Sequence, residues 1–137
     1  MKTIILFYSF SGKTKKLAGQ KANELKADIE EVIEVKKSSL FKAFTVGAFG
    51  AIRRKKSEIQ PIKAGLGNYD QIIIMVPVWA ANPAPVFNNM VELLPSGKKV
   101  ELVMVSGGGG TRKSAEKTKA LIAARGCEVV GYTDVKG

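Results

Sequence analysis

The sequence predicts an α/β domain built on a doubly wound sheet of five parallel strands. Two observations carry this prediction. Apolar runs typical of strands alternate along the chain with segments whose apolar residues recur at helical spacing. The third and fourth runs, residues 71–76 and 100–105, are almost wholly apolar, as expected when helices cover both faces of a sheet. At 137 residues with 45% hydrophobic content, the chain is long enough for one domain and too short for two, so we expect a single domain over residues 1–137.

The predicted elements follow one another in regular order. Strands are expected at residues 3–8, 29–35, 71–76, 100–105 and 127–133, and helices at residues 13–25, 39–52, 83–94 and 112–124. The first helix has Leu17, Ala18 and Leu25 on one face. Asn82 and Thr111 precede the last two helices and are residue types that cap a helix.

The first loop, residues 9–14, joins the first strand to the first helix. Its hydroxyl groups are hydrogen-bond donors, and the free backbone N–H groups and positive dipole end of the helix point back at it. An anion placed there gains hydrogen bonds and charge complementarity together. The sequence therefore predicts a phosphate-binding loop formed by Ser9, Phe10, Ser11, Gly12, Lys13 and Thr14.

Residues 12–14 also look like the end of a nucleotide-triphosphatase P-loop. That motif needs a glycine five residues before its second glycine, where this chain has Phe7. It also needs a carboxylate for magnesium at the end of another strand, and the third strand runs into Pro77 without one. These two independent mismatches argue against a triphosphatase. A hydroxyl-rich turn can also be a simple helix cap, so the other loops decide the interpretation.

The second loop, residues 77–86, follows the third strand and contains the only tryptophan of the chain, Trp79. Three prolines stiffen this loop, and a large flat side chain on a rigid loop suits stacking against a planar ring. An isolated tryptophan more often caps a core, but its position beside the phosphate loop favours a ring site. The residues predicted to flank the ring are Pro77, Val78, Trp79, Ala80 and Asn82.

The third loop, residues 106–111, follows the fourth strand and contains four successive glycines. Glycines permit close backbone approach, so main-chain amides can reach the oxygens and nitrogens of a ligand. A glycine run is often only a flexible surface loop, but here it lies in the right place for a ligand contact. The predicted contacts are Ser106, Gly107, Gly108, Gly109 and Gly110.

Together these loops resemble those of the flavodoxin family. Residues 9–14 resemble its phosphate loop, in which hydroxyls and backbone amides bind the monophosphate of FMN without a metal. Residues 77–86 resemble the flavin-ring loop of short flavodoxins, with a Pro-Val-Trp start and a Pro-Ala-Pro segment before the helix. The resemblance implies FMN as cofactor and the flavodoxin-like strand order 2-1-3-4-5. That order brings the ends of strands 1, 3 and 4 to one switch point, where the three loops become neighbours.

Two departures from the family pattern carry predictions. The family usually has a fifth helix after the fifth strand, and here the last helix is apparently absent. We therefore expect a homodimer, or a displaced element, to cover the exposed apolar face. Many relatives enclose the flavin between two aromatic side chains, whereas this chain offers Ala80 and glycines at those positions. Stacking by Trp79 on one face only predicts weaker flavin binding or a face open to a substrate.

The charge is a third departure, because electron-carrying flavodoxins are typically acidic. This chain has 22 Lys and Arg against 12 Asp and Glu, a net charge of +10, which would steer an acidic redox partner protein. The basic residues at 53–56 are expected to complement the carboxyl end of the second helix, and Phe41, Phe44 and Phe49 to form its core face. The alternative, a nucleic-acid or anionic membrane surface, is less favoured.

Composition limits the chemistry and the location. Without histidine, the chain lacks the usual metal ligand and the usual general base, so we expect no metal site and no catalytic side chain. Cys127 is its only cysteine and is expected in the core. No apolar stretch approaches the roughly 20 residues of a membrane span, and the first strand leaves no room for a leader, so we expect a cytoplasmic protein.

These observations predict an FMN-binding electron-transfer protein in which the flavin supplies the redox chemistry. Two alternatives stay open. One is an NAD(P)H-dependent flavin or quinone reductase, which an open ring face allows. The other is a flavin-free module that binds an acidic partner or nucleic acid through its basic surface. Bound flavin separates the last from the first two, and NAD(P)H oxidation without a partner reductase separates the reductase from the carrier.

Overall fold

A computed structural model of the chain describes residues 2–35, 58–79, 81–107 and 110–136. The strands are β1 (Thr3–Phe7), β2 (Asp28–Glu31), β3 (Gln71–Trp79), β4 (Asn82–Pro83), β5 (Lys99–Ser106) and β6 (Glu128–Lys136). The helices are α1 (Lys13–Leu25), α2 (Val86–Leu93) and α3 (Ala115–Ala124), with a short 3-10 turn at Leu66–Asn68. Strands and helices alternate as the sequence predicts, apart from the additional two-residue strand β4.

The main strands form one parallel sheet in the order β2-β1-β3-β5-β6. Numbered without β4, this is the predicted order 2-1-3-4-5, so the fold prediction is confirmed. The register places Leu6 beside Ile74 and Ile74 beside Leu102, which aligns the three central strands. Their carboxyl ends therefore lie side by side at one edge of the sheet, which we call the carboxyl edge.

Alternate residues of the central strands form two apolar layers. On one face, Leu6 and Ile74 pack in a cluster that includes Phe87 of α2 and Ile122 of α3. On the other face, the smaller cluster includes Ile73 and is covered by α1. The central strands are largely apolar, as expected for a sheet with helices packed against both of its faces.

The face that carries α1 also contains a groove beside that helix. The groove is open to solvent and has a cavity volume of about 200 Å³, and its lining includes Leu17, Met75, Val103 and Val135. A Lys21–Glu101 ion pair of 3.4 Å lies among the lining residues. The homodimer or displaced element expected over an exposed apolar face of the sheet stays a prediction.

Two helices begin later than the sequence predicts. The helix predicted at residues 83–94 begins at Val86, because Asn82 and Pro83 instead pair with the end of β3. The helix predicted at residues 112–124 begins at Ala115. A turn comes first, in which the Ser114 N–H donates to the Thr111 carbonyl at 3.0 Å.

The strand boundaries also shift, while the first helix does not. The strand predicted at residues 29–35 covers Asp28–Glu31, and the last predicted strand, 127–133, extends to Lys136. Helix α1 has the predicted bounds.

Some sequence predictions fall outside the described residues. These are the helix at residues 39–52, the basic residues at 53–56, and Phe41, Phe44 and Phe49. Within the part of the chain that the structure describes, no helix is long and apolar enough to cross a membrane.

Candidate functional site

The three predicted loops meet around one cleft at the carboxyl edge. The cleft is open to solvent and has a cavity volume of about 170 Å³. Its lining consists of Phe10, Ser11, Lys13, Thr14, Pro77, Val78, Trp79, Val105, Ser106 and Gly107. All of these except Val105 were predicted site residues. Val105 was missed, although its place as the last apolar residue before the third loop is visible in the sequence.

The first loop delivers the amino terminus of α1 to this cleft. Gly12 is the N-cap residue and has φ 94°, a conformation that L side chains rarely adopt. Its N–H donates to Ser9 Oγ at 3.0 Å, and its carbonyl accepts the first helical bond from Lys16. Because glycine has no side chain, no side-chain cap covers the first-turn N–H groups of α1. Those groups, together with cleft-lining Lys13 and Thr14, form a suitable site for a phosphate.

The second loop supplies an aromatic wall. Trp79 lies at the end of β3, where its backbone pairs with Asn82 in the short antiparallel strand. The ring of Phe10, from the first loop, contacts Trp79 edge to face, with centroids 5.3 Å apart and an interplanar angle of 89°. The two aromatic side chains contact each other, so they form one wall that joins the first and second loops.

The third loop is anchored to the last strand. Thr111 is fully buried, and both its N–H and its hydroxyl donate to Asp134 Oδ1, at 3.1 Å and 2.7 Å. The Thr111 hydroxyl also contacts the Tyr132 hydroxyl. Burial raises the pKa of Tyr132, the hydrogen bond to Thr111 partly offsets the rise, and the charge of Asp134 adds to it. The Gly110 N–H donates to Ser106 Oγ at 3.3 Å, which closes the loop on itself.

Tyr8 anchors the start of the first loop and was not among the predicted site residues. It is buried, and its hydroxyl donates to Glu34 Oε1 at 2.9 Å. Burial, followed by the charge of Glu34 and the hydrogen bond to it, raises the pKa of Tyr8 far above its ordinary value. Tyr8 is therefore a neutral structural group at neutral pH. Lys13 is the one charged side chain among the described residues that line the cleft.

The remaining predicted site residues do not line the cleft in the described structure. Ser9 and Gly12 shape the first loop from within, and Gly110 closes the third. Asn82 pairs with Trp79 and lines a separate small pocket that also includes Ser114. Ala80, Gly108 and Gly109 lie outside the described residues.

The chain is similar to known proteins in sequence and in fold. The family model for NADPH-dependent FMN reductase matches residues 1–135. A protein of Archaeoglobus fulgidus is 24% identical over 132 residues, which cover 96% of this chain and 84% of that protein. The crystal structure of a flavoprotein from Lactobacillus acidophilus NCFM in complex with FMN is 27% identical, with a TM-score of 0.79 over 97% of this chain and 92% of that one. A Bacteroides uniformis structure shares the fold, with 17% identity and a TM-score of 0.82 over 99% of this chain and 90% of that one.

Proposed function

This chain belongs to the NADPH-dependent FMN reductase family and has FMN as its cofactor, and we propose that it is an oxidoreductase that takes hydride directly from NAD(P)H. FMN, when bound, supplies the hydride acceptor and the capacity to pass on one or two electrons. The protein then has to bind the cofactor, orient its ring and admit the nicotinamide. The cleft residues suit each of these tasks.

The first loop suits the phosphate of FMN. The uncapped N–H groups of α1 and the hydroxyls of Ser11 and Thr14 are donors, and Lys13 adds a positive charge. We propose that these groups bind the phosphate, that Val78 and Trp79 contact the ring, and that residues 106–107 contact its far edge. None of these contacts requires a side chain that gains or loses a proton.

The observation that carries the reductase proposal is the single aromatic wall. Phe10 and Trp79 contact each other edge to face instead of facing one another across the cleft. The described residues from the third-loop side of the cleft are Val105, Ser106 and Gly107, none of which carries an aromatic ring. A flavin stacked on Trp79 therefore keeps one face accessible to a second planar ring such as nicotinamide.

Charge around the cleft supports an anionic dinucleotide substrate. Lys16 follows the first loop, Arg112 and Lys113 follow the third, and all three are exposed. Lys136 is also exposed and pairs in register with Ser106. A basic edge of this kind raises the local concentration of an anion through long-range attraction.

The same basic edge supports a second candidate, an electron carrier that docks an acidic redox protein. In that case another enzyme reduces the flavin, and the basic edge steers the partner. The two candidates differ in one measurable property, which is whether NAD(P)H is oxidised without a partner reductase.

The test combines binding and turnover with purified protein. FMN is titrated by flavin fluorescence with riboflavin and ATP as controls, and NADPH and NADH oxidation are then followed with a quinone acceptor. Saturable FMN binding that riboflavin matches only weakly, together with NAD(P)H oxidation, supports the reductase. FMN binding with oxidation only after an external reductase is added overturns it in favour of the carrier. Absence of FMN binding overturns both and leaves the flavin-free module.

A matched pair of variants tests the phosphate assignment. Ser11→Ala removes a cleft hydroxyl, whereas Ser96→Ala removes an exposed hydroxyl in the loop before β5. A lost hydrogen bond to a charged group predicts about tenfold weaker FMN binding for Ser11→Ala, with riboflavin affinity unchanged. Ser96→Ala is expected to bind both flavins as the wild type does. Equal loss of FMN and riboflavin affinity in Ser11→Ala would place the phosphate elsewhere.

A further inference from the structure

The side chain of Ser114 links two loops of the cleft. Ser114 occupies the N-cap position of α3, where a serine normally accepts a hydrogen bond from the first helical turn. It makes no such cap. Its buried hydroxyl instead lies within donating distance of the Ala81 carbonyl, at 2.9 Å, and of the Thr111 carbonyl, at 3.2 Å. The hydroxyl thus connects the second and third loops, and a helix-capping role does not account for the bond to Ala81.

The residue that Ser114 contacts has an unusual backbone conformation. Ala81 has φ 63°, in the left-handed region that non-glycine residues rarely occupy. It lies in the short connection between Trp79 and Asn82, whose backbones pair with each other. Such a conformation persists only when surrounding contacts enforce it. A hydrogen bond to the Ala81 carbonyl is such a contact, because it fixes the orientation of the peptide group between Ala81 and Asn82.

A continuous set of contacts then leads to the aromatic wall. Ala81 is two residues from Trp79, and the Trp79 ring contacts Phe10 of the first loop. On the other side, the turn that includes Thr111 is bound to Asp134 of β6. Ser114 is therefore the point at which the anchored Thr111 end of the third loop meets the second loop.

We propose that Ser114 is a positioning residue for the flavin ring. Its hydroxyl stabilises the left-handed conformation of Ala81 and so keeps Trp79 in the orientation that forms the cleft wall. The proposal rests on the assignment of Trp79 to the ring under the proposed function. Because the effect acts on the ring and not on the phosphate, FMN and riboflavin must lose affinity by the same factor when Ser114 is altered.

The first experiment compares Ser114→Ala with Thr118→Val in the full chain. Thr118 is also buried on α3, but its hydroxyl donates to the Ser114 carbonyl within the helix, at 2.9 Å. Loss of the cross-loop hydrogen bond predicts about 3- to 10-fold weaker binding of both flavins in Ser114→Ala. Thr118→Val is expected to keep wild-type affinity. Equal affinities of Ser114→Ala and the wild type, or a loss confined to FMN, would overturn the proposal.

The intrinsic fluorescence of Trp79 provides a second readout that needs no flavin. Trp79 is the only tryptophan, so acrylamide quenching of the protein without flavin reports on this side chain alone. Ser114→Ala is expected to raise the quenching constant, and Thr118→Val to leave it unchanged. If the wild type binds no flavin, the proposed function fails while this measurement still tests the positioning role. If the wild type binds flavin and Ser114→Ala changes neither quenching nor affinity, only the positioning role fails.

Substitutions at Ala81 test the mechanism and do not disturb the core, because Ala81 is exposed. Glycine adopts the left-handed region readily, so in an Ala81→Gly background the effect of Ser114→Ala should shrink to less than about twofold. A β-branched residue disfavours that region, so Ala81→Val should reproduce the loss seen in Ser114→Ala. An undiminished effect in the glycine background, or wild-type flavin affinity in Ala81→Val, would overturn the role of the Ala81 conformation.

Discussion

Replacement of Gly12 by alanine isolates the backbone strain of the phosphate loop. An added Cβ at this position meets no atom within 4 Å, so the substitution introduces no steric clash. What changes is the conformational energy, because Gly12 has φ 94° and an alanine there is strained by about 1–2 kcal/mol. The folded loop either retains this strain or relaxes to another conformation that no longer presents the helix N-terminus.

These two responses differ in the free protein but agree when FMN is bound. The bound state requires the native loop, so the unfolding free energy at saturating FMN is expected to fall by about 1–2 kcal/mol in either case. If the loop relaxes in the free protein, the FMN-free protein loses less stability and FMN affinity falls by up to about 5- to 30-fold. Urea unfolding with and without FMN, together with FMN titration, measures all three quantities.

Two other glycines are matched controls, because an added Cβ meets nothing within 4 Å at either. Gly97 has φ 82° and lies away from the cleft, so Gly97→Ala should cost similar stability while FMN affinity stays unchanged. Gly19 lies within α1, where alanine should increase stability by about 0.5–1 kcal/mol. A Gly12→Ala protein that is as stable with FMN as the wild type would refute the argument.

Three further predictions concern the core, the buried tyrosine and the association state. Ile74→Ala removes a fully buried side chain from the central strand and should lower the unfolding free energy, measured by urea unfolding, by about 2–5 kcal/mol. Ile29→Ala, at an exposed position, should lower it by under about 1 kcal/mol, and similar losses at the two sites would contradict the assigned core. Because the pKa of Tyr8 is raised in the folded protein, the contribution of Tyr8 to stability is fully present below pH about 10 and is lost as pH rises further. Tyr8→Phe should therefore make the decline of the unfolding free energy above that pH shallower, and an unchanged slope would exclude this linkage. We expect a homodimer, which light scattering after size exclusion measures, and a monomer at high concentration would count against it.

The fold class and most of the cleft-lining residues could be predicted before the structure was known. Apolar runs and helical spacing are local patterns, and they placed α1 at its observed bounds. The observed order of the strands is the one that the resemblance to the flavodoxin family implied. Glycine and proline residues directly after the strands then located the three loops. Because parallel strands carry their carboxyl ends to one edge, neighbouring loops followed from strand order, and the cleft at Trp79 and Thr14 was predictable.

Local patterns failed where a residue expected at the start of a helix forms its hydrogen bonds or backbone pairing with another element instead. Pro83 belongs to a short antiparallel strand because its backbone pairs with that of Val78, in the half-buried last part of β3. The Ser114–Ala81 bond spans 33 residues and the Thr111–Asp134 bond spans 23. At such separations neither residue type nor periodicity indicates a partner. Only the folded sheet brings these groups within hydrogen-bond distance, because the strand order and register determine which loops are neighbours. The hydroxyl of Ser114 or Thr111 then bonds to an acceptor of the neighbouring segment.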